Sequence, residues 1–487
     1  MKVAFFQFAS SPVHFFASLE ILKEEVTEKN QNFYYIWGSQ TSYPGRMSIG
    51  FESLFKRTPM KVRKLIAIAD RNAVNENRML FDAEWVRLVT EKFISQVQSM
   101  KSISELKELS YLDIKPGPAL ANEITNLTKD RDINLLSNQT LIRKLLLSYL
   151  EVYSATKIKI QNNGIDKIHI FNGRFLHERA VWDCAKSLEI ETLIFETTRN
   201  RYFQRTEGFH SRISNQKYML AHWANSADSE EAKFEIGSKY FGELRGKNNP
   251  FQVQQMDSVA STKDFFVFYS SSDDESVGFW DEWNEPLGDQ IEVIEKLQKI
   301  FELQTDLNLV IRIHPNLKNK SSAAIANWSV IKSKSNSIVI GPTEKVSSYE
   351  LLDNCVGVIS YGSTLGLEAA FSLKPSLVLA DSGYDLLGVV DKAENWKEVN
   401  EWLETGYKLG RSSLNERQKN ATIRGYYLAT GGIPFKNSVL RQTGWGAWTV
   451  DAFCGHKLRE SMIVNSYRKV VNKIKFLKVN RLVNHGE

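Results

Sequence analysis

Apolar residues fill 2–7 (KVAFFQ), polar ones follow in ASSPVHF, and apolar positions resume at Leu19, Ile21 and Leu22. A short apolar run, a polar turn and a helical stripe predict strand, loop and helix, the start of an α/β unit. YYIWG (34–38) predicts a second strand. From about 52 to 162 the period is helical and rich in Lys and Glu, broken at 115–118 (KPGP), which predicts a helical insertion. The β/α rhythm returns with a strand at 167–173 (KIHIFNG), a helix at 178–188 and a strand at 191–197 (ETLIFET). Residues 225–262 are polar, and Gly246, Asn248, Asn249 and Pro250 place an interdomain linker near 245–262.

A second block opens at 264–272 (DFFVFYSSS). It continues with a helix at 289–304, strands at 307–315 and 337–341, a helix at 347–354, a strand at 356–362, a helix at 364–373 and a strand at 376–380. Strands alternating with helices predict parallel sheets, and ligands of such sheets bind at the C-terminal strand ends. Here those ends are SSSDDE, HPN, YGST and DSGYD. The expected organisation is α/β with two Rossmann-like domains: 1–250 carrying the insertion, then 262–430. A helical, basic tail is expected over 431–487.

The length of 487 residues fits two or three domains, and 42% hydrophobic with 24% charged residues is ordinary globular usage. Cys184, Cys355 and Cys454 are odd in number and far apart, which fits a reducing compartment rather than a disulfide framework or zinc site. The first apolar run stops at Gln7, too early for a secretory signal, and no stretch is long and apolar enough to span a membrane. The net charge of +5 is uneven: in 455–487 Lys457, Arg459, Arg468, Lys469, Lys473, Lys475, Lys478 and Arg481 face only Glu460 and Glu487.

Four constellations carry candidate chemistry. Arg312 and His314 of RIHPN share a face of a strand ended by Pro315, where a guanidinium and an imidazole can hold a phosphate leaving group; a capped strand with a satisfied histidine is the alternative. In SYGSTLGLE, Gly362 permits a tight turn, and Ser363 and Thr364 open a helix whose free N–H groups suit phosphate. Tyr361 lies in the same turn, and Glu368, one helical turn after Thr364, can accept hydrogen bonds from a ribose; an ordinary capped helix is the alternative. Ser270, Ser271, Ser272 and Glu275 can touch donor phosphate or sugar, or form a plain polar loop. No His/Cys pattern accompanies those acidic residues, so no metal and no cofactor is expected. His14, in the loop after the first strand, is a candidate base for an acceptor hydroxyl, and Glu196 is its rival. Asn172, Arg174 and His177 lie at another strand end and are candidate acceptor ligands.

In order, GPALANEITNLTKDRD (117–132), FNGRF (171–175), IFE (194–196), FYSSSDDE (268–275), RIHPN (312–316), SSYELLDNCVGVISYGSTLGLEAAFSLKP (347–375) and DSGYDLLGV (381–389) resemble the capsule polysaccharide biosynthesis family, a group of GT-B-like proteins. The resemblance covers roughly 110–390 and implies a glycosyltransferase with two Rossmann-like domains facing a cleft. It implies a nucleotide-sugar donor, used as co-substrate, on the C-terminal half. It places a glycan or lipid-linked glycan acceptor on the N-terminal half. RIHP before a Ser/Thr-rich helix start also looks like enzymes using CMP-linked donors, the bacterial sialyl- and Kdo-transferases. That likeness implies donor-phosphate contacts for His314, Ser363 and Thr364. The acidic base motif of the sialyltransferase pattern has no clear counterpart here. Glycerophosphotransferases and sugar-nucleotide epimerases on the same architecture, or a non-catalytic glycan-binding or export scaffold, are the alternatives.

In 455–483, Ile463, Val464, Val470, Val471, Ile474, Leu477 and Leu482 gather near one side of an expected helix whose other side is basic. Such a helix suits peripheral contact with anionic lipid at the cytoplasmic face, or packing back on the first domain. Aromatic residues are sparse there, and nucleic acid is not an expected partner.

Overall fold

The first strand is buried along all but its first residue, as a strand covered by helices on both faces must be. The structure, a computed structural model, describes residues 1–8, 12–37, 40–43, 59–209, 211–246, 264–272, 283–303, 307–444 and 447–458. The described residues form two units. One comprises 1–209 and the chain from 432 onward, and the other lies within 211–431.

In the first unit β1 (Lys2–Gln7), β2 (Gln31–Ile36), β3 (Val74–Glu76), β4 (Lys167–Phe171) and β5 (Glu191–Thr198) are parallel in the order β3-β2-β1-β4-β5. This is the Rossmann order, with its switch point between β1 and β4. β6 (Arg201–Arg205) adds antiparallel to β5, an element the apolar pattern did not suggest because arginines begin and end it. The helix Pro59–Ala69 leads into β3, so the stretch expected to be a mainly helical insertion also contributes an edge strand. The added helices Ala83–Val97, Ile103–Lys107 and Gly117–Thr128 and the long crossover helix Gln139–Asn163 bury Phe93, Leu120, Leu145, Tyr149 and their neighbours in one core.

The second unit holds β7 (Phe265–Tyr269), β8 (Asn308–Arg312), β9 (Ser337–Ile340), β10 (Gly357–Ser360), β11 (Ser376–Val378) and β12 (Asp391–Lys392). All neighbours are parallel, in the order β9-β8-β7-β10-β11-β12. This again is the Rossmann order, with the switch point between β7 and β10. Both units therefore have the sheet expected of a GT-B chain.

The polar stretch assigned to the end of the first domain belongs instead to the second unit, as helices Arg212–Asn225 and Glu230–Leu244. Glycine makes this possible. A Cβ on Gly425, in the helix Arg411–Thr430, would stand 2.2 Å from the Gly237 carbonyl oxygen, so the two helices touch backbone to backbone. The charged outer faces read as polar linker, while the contact face is marked only by two glycines. Of the expected linker, residues 247–263 lie outside the described residues.

Over 433–457 the described residues of the expected helical tail form strands, while the helix expected over 455–483 lies almost wholly outside the described residues. β13 (Ile433–Pro434) pairs with β6, completing a seven-stranded sheet. β14 (Ser438–Gly444), β15 (Ala447–Phe453) and β16 (His456–Lys457) form an antiparallel sheet of their own. Phe453 packs on Phe16 of the helix Pro12–Glu24 at 5.4 Å between rings. The buried Glu20 of that helix accepts hydrogen bonds from Asn437 N–H (2.9 Å), Asn437 Nδ2 (2.8 Å) and Ser438 Oγ (2.7 Å). Residues 459–487, including most of the basic tail, lie outside the described residues. Among the described residues no helix is long and apolar enough to cross a membrane.

Candidate functional site

In the second unit the switch point lies between the strand ends of β7 and β10, which pair through Tyr269 and Ser360. Ser270, directly after β7, is buried, and its Oγ accepts the His314 backbone N–H at 2.8 Å. His314 sits two residues beyond β8, capping the turn Pro315–Asn319, with Nδ1 accepting the Asn316 N–H at 3.2 Å. That bond leaves the proton of the neutral ring on Nε2, which is then a donor, as a phosphate contact requires. Ser271 is held by its N–H donating to Gln290 Oε1 at 2.8 Å. Ser272 is buried. Glu275 lies outside the described residues.

Across the switch point, Gly362 takes a φ of 76°, in the left-handed region. Ser363 is half-buried and Thr364 exposed at the start of the helix Leu365–Phe371. The Ser363 carbonyl accepts a bond from the Tyr384 hydroxyl, which locks this turn to the DSGYD loop. That loop is held in turn by Arg212, whose Nη1 meets Asp385 at 2.6 Å, and by Gln216, which donates to the Ser382 carbonyl at 3.1 Å. The sequence did not reveal these supporting residues, because the charged face of their helix reads as part of the other domain.

Three expected donor contacts point elsewhere. Arg312 ends β8 buried, and its guanidinium donates to the carbonyls of Gly341 (2.5 Å) and Glu344 (3.4 Å). It is thus the brace of the loop after β9, and it does not share a strand face with His314, because β8 stops at Arg312. Tyr361 is buried, its hydroxyl donating to the Gly288 carbonyl at 2.5 Å. Glu368 is also buried, bonded to the side chains of Tyr349 and Thr364, and burial pushes its carboxyl up to about 7. Its carboxyl is thus engaged by neighbouring side chains of its own unit rather than presented at the surface.

In the first unit the switch point gathers His14, Asn172 and Glu196. His14 lies in the first turn of the helix Pro12–Glu24, not in the loop before it, with its ring stacked on Phe171 at 3.9 Å. Its Nδ1 is buried without a partner, and burial pulls the imidazole down to about 3. Asn172 and Gly173 both take left-handed φ values, 59° and 80°, which turns the chain sharply after β4. The Asn172 amide donates to one Glu196 oxygen, and the Thr197 N–H to the other at 2.9 Å. Burial raises the Glu196 carboxyl, while those two bonds and the Arg174 charge act against the rise. Arg174 is half-buried, its guanidinium 5.1 Å from the Phe175 ring centroid. His177 is not at this site. It is buried against Phe8, with Nε2 2.8 Å from Ser148 Oγ and 3.1 Å from the Tyr43 carbonyl, and burial pulls it down to about 4. Among the described residues no group of three or more His, Cys, Asp or Glu side chains is placed to hold a metal ion.

Residues 222–427 match the family model described as capsule polysaccharide biosynthesis protein. The sequence pieces at 117–132, 171–175 and 194–196 lie outside that match. No curated protein matches the chain. Among solved structures, the chain is similar to the β-Kdo 2,4 transferase of KpsC from Thermosulfurimonas dismutans (12% identity, 53% of this chain, 79% of that one, TM-score 0.35). It is also similar to the β-Kdo 2,7 transferase of the same KpsC (13%, 55% and 79%, TM-score 0.33). A third is UDP-GlcNAc 2-epimerase from Neisseria meningitidis bound to UDP-GlcNAc (12%, 88% and 98%, TM-score 0.25). TM-scores this low carry no argument about activity.

Proposed function

Residues 222–427 carry the region of the capsule polysaccharide biosynthesis family, and on that premise we propose that this chain is a glycosyltransferase. It moves a sugar from a nucleotide-sugar donor to a growing surface or capsular polysaccharide, or to its lipid-linked precursor. CMP-linked sugars are the first donors to test. The observation that carries this reading is the Ser270–His314 pair at the switch point of the second unit, with the imidazole proton directed to Nε2. In this reading Nε2 donates to the donor phosphate, with the Ser363 and Thr364 hydroxyls from the β10 side. The bond from the anomeric carbon to the phosphate oxygen breaks, and its electron pair leaves with the nucleotide. An acceptor hydroxyl oxygen forms the new bond to that carbon, and its proton passes to a base.

For that base the side-chain environments favour Glu196 over His14. An imidazole held near 3 is a weak proton acceptor at neutral pH, whereas a carboxylate raised above its ordinary value is a better one. Asn172 orients Glu196 through its side-chain amide. The same reading puts the protein at the cytoplasmic face, its basic 455–487 stretch toward anionic lipid; the charge pattern of that stretch supports this. No metal is invoked in the transfer.

The test is thermal shift and calorimetry against CMP, CDP, UDP and GDP, with and without chelator, followed by transfer assays with the stabilising nucleotide's sugars. His314→Ala is expected to fold, to lose the nucleotide-induced shift and to abolish transfer. A folded His314→Ala variant with full transfer activity would sink the assignment.

A further inference from the structure

The helix Arg411–Thr430 sends two arginines toward the β10–β12 side of the second unit. Arg417 is satisfied: its guanidinium meets both oxygens of Asp391, at 3.0 and 2.7 Å. Arg424, two turns later, is not. Its Nε is buried with no hydrogen-bond partner, and no ion pair joins it to a carboxylate among the described residues. Burying a guanidinium N–H without a hydrogen-bond acceptor is unfavourable, and an incoming anion would supply that acceptor.

The location of Arg424 is set by glycine. Its Nη1 lies 3.2 Å from the point a Cβ on Gly383 would occupy, so the absence of a side chain there makes room for the guanidinium. Gly383 lies in the DSGYD loop after β11, the loop bonded to Ser363 through the Tyr384 hydroxyl. The charge of Arg424 also acts on Tyr384 and on Glu368, in the helix that follows the YGST turn. Arg424 therefore stands at the C-terminal strand ends on the β11 side of the switch point, and His314 stands on the β8 side. Arg312, the guanidinium the sequence offered for a phosphate, is committed to the carbonyls of Gly341 and Glu344.

We propose that Arg424 is the guanidinium that binds the phosphate of the nucleotide donor, with His314 on the other side of it. The proposal rests on the donor-site reading above. Arginine suits the role because its planar fork can meet two phosphate oxygens at once and keeps its charge at any working pH. The charge that grows on the phosphate as the sugar departs would then be met from both sides of the switch point.

The experiment is titration calorimetry of the full chain with CMP, CDP, UDP and GDP and with the matching unphosphorylated nucleosides. It uses the wild type, Arg424→Gln, Gly383→Ala and, as control, Arg417→Gln. Arg424→Gln is expected to weaken binding of the preferred nucleotide about 10- to 100-fold, the range of a hydrogen bond to a charged group, and to leave nucleoside binding unchanged. Gly383→Ala keeps the charge but displaces the guanidinium, so it should weaken nucleotide binding by a smaller factor. It also tests the idea if Arg424→Gln does not fold. Arg417→Gln should bind as the wild type does. If the wild type binds a nucleotide and the folded Arg424 and Gly383 variants bind it equally well, this inference is overturned while the donor-site reading stands. An equal loss for nucleotide and nucleoside would make Arg424 structural and overturn it too. A wild type that binds none of the four would overturn the donor-site reading and this inference with it.

Discussion

Two glycines in facing helices of the second unit should respond to the same substitution with opposite signs. Gly242, in the helix Glu230–Leu244, has no atom within 4 Å of a would-be Cβ. Alanine there should stabilise by about 1 kcal/mol through helix propensity alone. Gly425 gains the same propensity term, but its Cβ would stand 2.2 Å from the Gly237 carbonyl oxygen and 2.8 Å from Tyr240 Cβ. The first neighbour is backbone and the second is the root of a side chain, so no rotamer change relieves the overlap, and the helices must part by about 1 Å. Overpacking of this kind costs about 1–3 kcal/mol, and a backbone clash belongs at the upper end, leaving a net loss of about 2 kcal/mol. At about 2–4 °C per kcal/mol for a unit of this size, Gly242→Ala should raise Tm by about 2–4 °C and Gly425→Ala lower it by about 4–8 °C. A two-unit chain need not unfold in one step, so calorimetry should be paired with hydrogen exchange of β7–β12 amides to read the second unit alone. A Gly425→Ala protein as stable as Gly242→Ala would refute the backbone-to-backbone crossing.

Other expectations rest on single side chains. Glu178 is buried, its Oε1 has no partner, and burial pushes it up to about 8. A carboxyl raised in the folded state contributes stability below its unfolded value and loses it as pH rises toward the folded one. Glu178→Gln should therefore be near neutral below pH ~4.5 and increasingly stabilising up to about pH 8, by roughly a kcal/mol per unit; a pH-independent difference in Tm would count against this. Arg312→Lys cannot reach both loop carbonyls and should cost about 1–3 kcal/mol in thermal unfolding, and an unchanged Tm would contradict the bracing role. Glu20→Ala removes the acceptor for the 436–438 segment and should cost roughly 2–4 kcal/mol. Limited proteolysis should then cut near residue 437 faster than in the wild type, and equal cleavage rates would argue against the clamp.

The strands of both sheets were legible wherever an apolar run met a polar turn, and so were the loops at their ends, because burial on both faces leaves an unbroken apolar signature. His314, Ser270 and the YGST turn were found that way. What the pattern could not supply was direction. Arg312 reads as a free cation beside a histidine, yet its partners are carbonyls 29 and 32 residues away, which leave no local trace. His177 looked like a strand-end ligand because it comes just after FNGRF, but the helix it enters turns it inward toward Ser148. Residues 212–244 carry so many charges that their helix-to-helix contact was hidden, and the strands after 432 are either two residues long or, in β14 and β15, interrupt their apolar positions with polar ones.

The return of the chain after Gly431 also fixes an order of assembly. The first unit starts at residue 1, but its β13 edge and the segment held by Glu20 come from 433–438. At about 5–20 residues per second, the roughly 220 residues between Phe209 and Gly432 take on the order of ten to forty seconds to synthesise. Through that interval β6 is an open sheet edge and the Glu20 carboxylate lacks its partners, while the intervening unit can complete its own sheet first. The part of the protein made first is thus finished last. Any stop between the two halves of the first unit leaves a nascent chain with an unpaired edge, a substrate for chaperones rather than a smaller working domain.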